Sequence, residues 1–338
     1  MNTGSKSKTN PEPLLLGRSD VAALLTMPDC IVAVESAFRL YGEGKTAKPG
    51  VLGVHTEGGG FHIKAGIQRS GDRSYFVAKV NGNFPGNPAA HQLPTIQGIL
   101  VLADASNGTP LAIMDSVEIT NQRTGAATGI AARYLARKNS TCALICGCGV
   151  QAKTQLQALQ AVLPLTKVFA YSTDYFQAQA FANAMTMDLK LEVEPVADFR
   201  SVIARCDVCV TCTPAQKWFL GKDDVPEGMF IAAVGADNEH KQEIQPELMA
   251  KAKVVTDITD QCAVMGDLHH AIAAGKCQKE NVHAELGELV AGKKPGRTSP
   301  QEITIFDSTG MALQDVAAAI GVYEAALVRG GVRTFPLA

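Results

Sequence analysis

From residue 143 onward the chain alternates short apolar runs with stretches whose apolar positions recur at helical spacing. Residues 143–146 are four apolar positions in succession, and 155–163 read as a helix. Residues 166–172 are again strand-like, 175–187 helical, and 189–196 alternate as a strand does. A further helix is expected over 199–205, then strands over 208–213, 229–235 and 252–258, the first of them stopped by Pro214. Strands separated by helices of this length predict a parallel sheet with right-handed crossovers, whose ligand lies at the carboxyl ends of the strands.

The sequence ahead of residue 143 has a different period. Residues 19–41 predict two helical segments, with Ser19 and Asp20 as the amino-terminal cap and Val32, Val34, Ala37 and Phe38 on the apolar face. From 51 to 114 the pattern is mostly β: Gly58-Gly59-Gly60 marks a hairpin, and 61–65, 75–80, 98–104 and 110–115 read as strands, the last two flanking Ser106-Asn107-Gly108. Strands without intervening helices predict an antiparallel sheet in a separate domain. Residues 122–136 form an Ala- and Gly-rich helix leading into the 143–146 strand. Past residue 257, helices are expected at 269–274, 285–291 and 311–329, with a strand at 303–306 and a solvated basic turn at 292–297. The last helix is amphipathic enough to fold back on the amino-terminal sheet.

Gly147-Cys148-Gly149-Val150-Gln151-Ala152 places G-x-G-x-x-A where the 143–146 strand turns into a helix. Gly147 permits the tight turn, Gly149 leaves room for a pyrophosphate, and Ala152 lets the helix pack closely on the sheet. Backbone N–H groups at the helix amino terminus would face the phosphates. This predicts a dinucleotide cofactor, held by Gly147, Gly149, Val150, Gln151 and Ala152 and by residues at later strand ends: Ser172, Thr173, Thr213, Val234 and Gly235. The expected fold class is α/β, a Rossmann dinucleotide-binding domain plus an α+β substrate-binding and dimerisation domain. The expected limits are a disordered leader at 1–13, the α+β domain at 14–121 with 308–338, and the Rossmann domain at 122–307.

The 338 residues leave room for two domains, and 46% hydrophobic with 19% charged residues gives ample core material. A net charge of −2 without a basic stripe argues against nucleic acid as a partner. Neither a signal peptide nor a run long enough to span a membrane is read, so a cytoplasmic protein is expected. Nine cysteines are an odd number, and Cys146, Cys206, Cys209 and Cys212 fall in predicted buried strands. Alternate strand residues face opposite sides, so Cys206-x-x-Cys209-x-x-Cys212 is read as structural thiols and no metal is expected.

Several motifs carry a family resemblance. They are 79–88 (Lys-Val-Asn-Gly-Asn-Phe-Pro-Gly-Asn-Pro), 93–98 (Leu-Pro-Thr-Ile-Gln-Gly), Met114-Asp115, 123–127 (Arg-Thr-Gly-Ala-Ala), the 147–152 fingerprint, 234–237 (Val-Gly-Ala-Asp) and 306–315 (Phe-Asp-Ser-Thr-Gly-Met-Ala-Leu-Gln-Asp). In this order they resemble the ornithine cyclodeaminase/mu-crystallin family over nearly everything after the leader. That family includes ornithine and lysine cyclodeaminases, alanine dehydrogenase, cyclic ketimine reductases, a cis-3-hydroxyproline dehydratase and a hormone-binding crystallin, so fold analogy cannot choose a substrate.

The resemblance implies that Arg123 and Thr95 contact the substrate, Arg123 gripping its carboxylate, and that Lys79 and Asp237 handle the proton on its nitrogen. The residue types agree: a guanidinium fork suits a carboxylate, and a mid-strand lysine with its pKa lowered by burial can exchange protons near neutral pH. Two departures stand out. Relatives that bind ornithine carry an arginine where this chain has Lys48-Pro49-Gly50, and Lys64 is the candidate to replace that charge. Ser172 stands where an acidic residue would grip the ribose of NAD, with Asp174 two residues on, so NAD or NADP stays open. The expected activity is reduction of a cyclic imine carboxylate of the delta-1-pyrroline-2-carboxylate type. The alternatives are cyclodeamination, dehydration of cis-3-hydroxyproline, an alanine dehydrogenase-like reaction, or nucleotide-gated binding without turnover. A homodimer built on the β-rich domain is expected.

Overall fold

The computed structural model describes residues 12–47 and 49–336, so most of the expected leader, and Lys48, lie outside the described residues. In chain order the elements open with β1 (Leu14–Leu16), α1 (Arg18–Leu24), α2 (Met27–Gly42), β2 (Gly50–Thr56), β3 (Gly59–Ser70) and β4 (Arg73–Asn83). A short α3 (Asn87–His91), β5 (Ile96–Asp104), β6 (Pro110–Asp115) and α4 (Ser116–Leu135) follow. Next come β7 (Cys142–Cys146), α5 (Val150–Val162), β8 (Lys167–Tyr171), α6 (Tyr175–Leu189), β9 (Glu192–Val196), β10 (Val208–Thr211) and β11 (Phe230–Ala233). The chain continues through α7 (Pro246–Lys251), β12 (Lys253–Thr256), α8 (Thr259–Met265), α9 (Asp267–Ala273) and β13 (Ala284–Glu285). It closes with α10 (Leu286–Val290), β14 (Thr304–Asp307) and α11 (Ala312–Arg329).

Two compact units result. One comprises Met1–Thr26, Ala47–Thr120 and Asp315–Ala338, the other Met27–Thr46 and Asn121–Gln314. The second unit therefore takes α2 and residues 308–314, which the sequence reading gave to the first. The reason is local packing: α2 buries Met27, Cys30, Ile31, Val34, Ala37 and Phe38 on one face. A side chain at Gly42 would run into the Gly287 carbonyl of α10, and one at Gly129 of α4 would meet Ile31 at 3.3 Å. Val32, expected on that apolar face, is 67% exposed, because it falls between the rows that helical spacing brings together.

The first unit holds a six-stranded sheet in the order β1-β6-β5-β4-β3-β2, antiparallel except where β1 runs parallel to β6. Period-two alternation gives it two different faces. One cross-strand row is Val51, Lys64, Lys79, Leu100, Met114 and Leu16. The carboxyl-terminal helix covers that face, with Tyr323 edge-on to Tyr75 at 6.1 Å and Ser70 Oγ donating to Glu324 at 3.1 Å. The next row, on the opposite face, is Leu52, Ile63, Val80 and Ile99. This second face is also apolar yet open: Leu52, Phe61, Ile67 and Ile99 are 56, 43, 42 and 53% exposed. Residues 333–335 run beside β1, Leu15 N–H donating to the Arg333 carbonyl and Phe335 N–H to that of Pro13.

The second unit holds eight strands in the order β13-β12-β14-β11-β10-β7-β8-β9, every neighbouring pair parallel. From β7 the chain winds outward through β8 and β9, then returns to β10 on the other side of β7. That reversal is the topological switch point of a doubly wound sheet, whose carboxyl-end crevice receives ligands. The helix expected over 199–205 is two single 3-10 turns. Ser19 and Asp20 do not cap α1: Gly17 is the cap, and Asp20 accepts its N–H at 2.9 Å from inside the first turn. Among the described residues no single helix is long and apolar enough to cross a membrane.

Candidate active site

At the switch point, Gly147 has φ +99°, and a Cβ there would lie 2.8 Å from the Cys212 carbonyl oxygen. The turn is thus confined to glycine by both conformation and space. Gly149 differs. Its φ is −84°, it caps α5 with no side-chain bond, and a Cβ built on it meets nothing within 4 Å. Packing does not require glycine here, whereas a phosphate at an uncapped helix amino terminus would. Val150 beside it is 71% exposed for an aliphatic residue, Gln151 reaches Asn121 at 3.1 Å, and Ala152 is fully buried. These features suit the dinucleotide expected from the sequence.

The end of β8 carries Ser172, whose hydroxyl bonds Gln177 at 2.7 Å, and the exposed Thr173. Asp174 caps α6 by accepting the Phe176 N–H at 3.0 Å. Thr213 and Gly235 follow β10 and β11, and both are gripped by Glu243, a residue the sequence did not single out. Glu243 Oε1 accepts the Thr213 N–H and hydroxyl, each at 2.7 Å, while Oε2 accepts the Thr211 hydroxyl at 2.7 Å and the Gly235 N–H at 2.8 Å. Val234 is buried between these contacts in sequence.

Asp237, two residues past Gly235, stands on the loop after β11 with its side chain 48% exposed and paired with Lys241 at 2.8 Å. Further carboxylates lie in this unit, all inaccessible to solvent. Asp267 Oδ1 accepts the N–H groups of Glu243 and Ile244 at 2.8 Å, and Asp307 Oδ2 accepts that of Leu268 at 2.9 Å. Burial pushes the Asp267 carboxyl well above the usual range, with the Asp307 and Glu243 charges adding to it. Asp307 rises to about 7, chiefly by burial, against the pull of its backbone N–H donors. Glu243 is raised by burial and held back by its hydroxyl and N–H donors. Asp257 grips the turn before α11, accepting the Gly310 N–H at 2.5 Å and the Thr309 hydroxyl at 3.2 Å.

Arg123 lies against that turn. It is 6% exposed, its Nη1 donates to Gln314 Oε1 at 2.8 Å, and a Cβ on Gly310 (φ +86°) would come within 2.6 Å of the guanidinium. In the first unit, Lys79 and Lys64 are directly opposed on β4 and β3 and share one face. Like charges so placed repel unless an anion is near, and Lys79 Nζ meets Asp315 at 2.8 Å with both side chains buried. Lys79 also donates to Thr120 at 3.2 Å. It is therefore half of a buried ion pair. Thr95 is half-buried on the bend before β5, its carbonyl accepting the Phe84 N–H at 2.8 Å.

Gln314 and Asp315 closed one of the sequence motifs without receiving a role; Gln314 bonds Arg123, and Asp315 pairs with Lys79. Among the described residues no cluster of three or more His, Cys, Asp or Glu could hold a metal ion. Cys206 and Cys209 are buried free thiols and Cys212 a partly buried one.

A doubly wound sheet with a glycine turn at its switch point, accompanied by an antiparallel sheet bearing a buried lysine, defines a two-unit α/β protein of the Rossmann type. The chain belongs to the ornithine cyclodeaminase/mu-crystallin family, which it matches over residues 12–330. It is 41% identical to an alanine dehydrogenase of Archaeoglobus fulgidus over 317 residues, 94% of this chain and 96% of the relative. Among solved structures, an archaeal alanine dehydrogenase dimer with bound NAD superposes with a TM-score of 0.92 at 40% identity, covering 97% of this chain and all of that one. The delta(1)-pyrroline-2-carboxylate reductase of Thermococcus litoralis, in complex with NADH and L-proline, gives 0.89 at 34% identity, covering 95% of this chain and all of that one.

Proposed function

We propose that this protein is an NAD(P)-dependent oxidoreductase acting at the Cα of a small amino or imino acid, and that it reduces a cyclic imine carboxylate of the delta-1-pyrroline-2-carboxylate type. The observation carrying this reading is the buried Lys79–Asp315 pair, a proton-holding couple of the kind imine reduction needs at nitrogen. A bound nicotinamide cofactor supplies the hydride to the imine carbon. Gly147, Gly149, Val150, Gln151 and Ala152 hold its pyrophosphate side, Ser172 and Thr173 its ribose, and Thr213, Val234 and Gly235 the remaining wall. Arg123 grips the substrate carboxylate, assisted by Lys64 and Thr95. Lys79, poised by Asp315, gives a proton to the nitrogen as the carbon–nitrogen double bond becomes single, and Asp237 is the second residue proposed to handle that proton. The solved reductase with NADH and L-proline supports this version.

A second version, reduction of the acyclic imine formed from pyruvate and ammonia, is favoured by the 41% identity to an alanine dehydrogenase. Oxidation of NADH and NADPH with each substrate separates the two. Faster turnover of the cyclic imine is expected, the opposite order selects the second version, and turnover of neither overturns the reading. Arg123→Ala is expected to cost about 2 kcal/mol in kcat/KM, roughly thirtyfold, because a charged partner of the carboxylate is lost. A change below threefold removes Arg123 from the site.

We propose a homodimer as the working form, joined through the open face of the six-stranded sheet. The dimeric archaeal alanine dehydrogenase supports this.

A further inference from the structure

Glu243 sits on the segment between β11 and α7 with no exposed surface, yet its carboxylate ends up between the carboxyl ends of β10 and β11. Each of its oxygens accepts one backbone N–H, Thr213 on Oε1 and Gly235 on Oε2, and each also accepts a threonine hydroxyl. Four donors converge on one buried acceptor group. The two strand ends are also pressed together directly, since a Cβ on Gly235 would collide with the Thr213 carbonyl and the Glu243 carboxylate. Glu243 is itself fixed from behind: its N–H donates to Asp267 Oδ1, and its carbonyl accepts from Phe219 and Leu220 at 3.1 and 3.2 Å. A chain of carboxylate-to-backbone bonds thus runs from Asp307 through Leu268 and Asp267 to Glu243, and from there to the Thr213 and Gly235 ledge.

Such an arrangement exceeds what holding a loop demands. Burying a carboxylate without a cation at its oxygens is costly, and one neutral side chain could have tethered a single N–H. What a carboxylate alone provides is two oxygens that both only accept. An amide in the same place, whichever way it is turned, would set its NH2 against a backbone N–H.

We propose that Glu243 is a positioning residue for the cofactor: it sets the separation and orientation of the Thr213 and Gly235 backbones on which the nicotinamide end of the dinucleotide rests, and does so through its paired acceptor oxygens. This rests on the cofactor reading given under Proposed function. Its effect passes through Thr213 and Gly235, so it touches neither substrate nor hydride path itself.

The test is binding of NADH to the full-length chain, followed by nicotinamide fluorescence well below the melting midpoint, with near-ultraviolet circular dichroism to verify folding. Glu243→Gln is expected to raise the NADH dissociation constant at least tenfold. Thr211→Val removes one hydroxyl donor to Oε2 from a residue outside the cofactor contacts, and is expected to raise it about threefold. A purely structural carboxylate would instead lower the melting temperature and leave the affinity of the folded protein alone. Folded Glu243→Gln with wild-type affinity overturns the proposal. Should that variant not fold, Thr211→Val decides: weakened binding supports the proposal, and unchanged binding overturns it. The same titration is run with NADPH, and wild-type protein that binds neither NADH nor NADPH overturns the cofactor reading itself, and this inference with it.

Discussion

A methyl group added to Gly149 would touch nothing in the protein, while one added to Gly147 would strike the Cys212 carbonyl. The two glycines read alike in the sequence, as members of one G-x-G-x-x-A pattern, and only the packing around them separates a position kept for the fold from one kept for a ligand. Gly149→Val is therefore expected to keep the wild-type melting temperature and to lose measurable NADH binding in a fluorescence titration. Retained affinity would remove the phosphate from that turn. Lys79 and Arg123 were legible as chemistry through the family motifs that contain them, with residue types that suit proton exchange and a carboxylate grip. Their partners were not, because Asp315 and Gln314 come from the far end of the chain, and nothing local to Lys79 or Arg123 announces a neighbour so distant in sequence.

Apolar runs are long enough to be read as elements, and every strand of the second sheet from β7 to β12 lies where its run predicted, within a few residues. Short elements escaped: β1 and β13 have three and two residues, too few to show a period. The carboxylates that brace the strand ends escaped for another reason. Asp267 and Glu243 sit in segments between strands, where acidic residues ordinarily face water, and burial is visible only once those segments fold over the sheet. Their titration gives a prediction at this scale. Asp267 and Asp307 have raised carboxyl pKa values in the fold, so the native state keeps protons that the unfolded chain releases above about pH 4. Where the native state binds more protons, stability falls as pH rises. The contribution is thus fully present below pH 4 and is lost progressively toward pH 7, where Asp307 titrates. The slope is about 1.4 kcal/mol per pH unit for each retained proton. Denaturant melts from pH 4.5 to 7.5 should show it, and Asp307→Asn should flatten it; equal slopes in the two proteins would mean that Asp307 ionises at its ordinary value.

For the molecule as a whole, the six-stranded sheet cannot stand alone, because one face is covered by α11 and the other leaves Leu52, Phe61, Ile67 and Ile99 open to solvent. A second copy of the chain is the occupant proposed for that face. Sedimentation equilibrium at micromolar concentration is expected to return twice the 35.7 kDa chain mass, and Ile99→Glu to shift the protein toward monomer. A wild-type monomer at the same concentration would refute the assignment.

The interleaved make-up of the two units also has a consequence in time. The long segment from Asn121 to Gln314 contains every strand of the parallel sheet, so that sheet can assemble from one continuous stretch of chain. The other unit draws its last piece, Asp315–Ala338, from beyond that stretch. Closing so long a loop makes its contacts slow to form. Lys79 consequently waits for its counter-ion until the tail returns. During synthesis the strand bearing Lys79 is made well before Asp315, so this ion pair is among the contacts that close the longest loop of the fold.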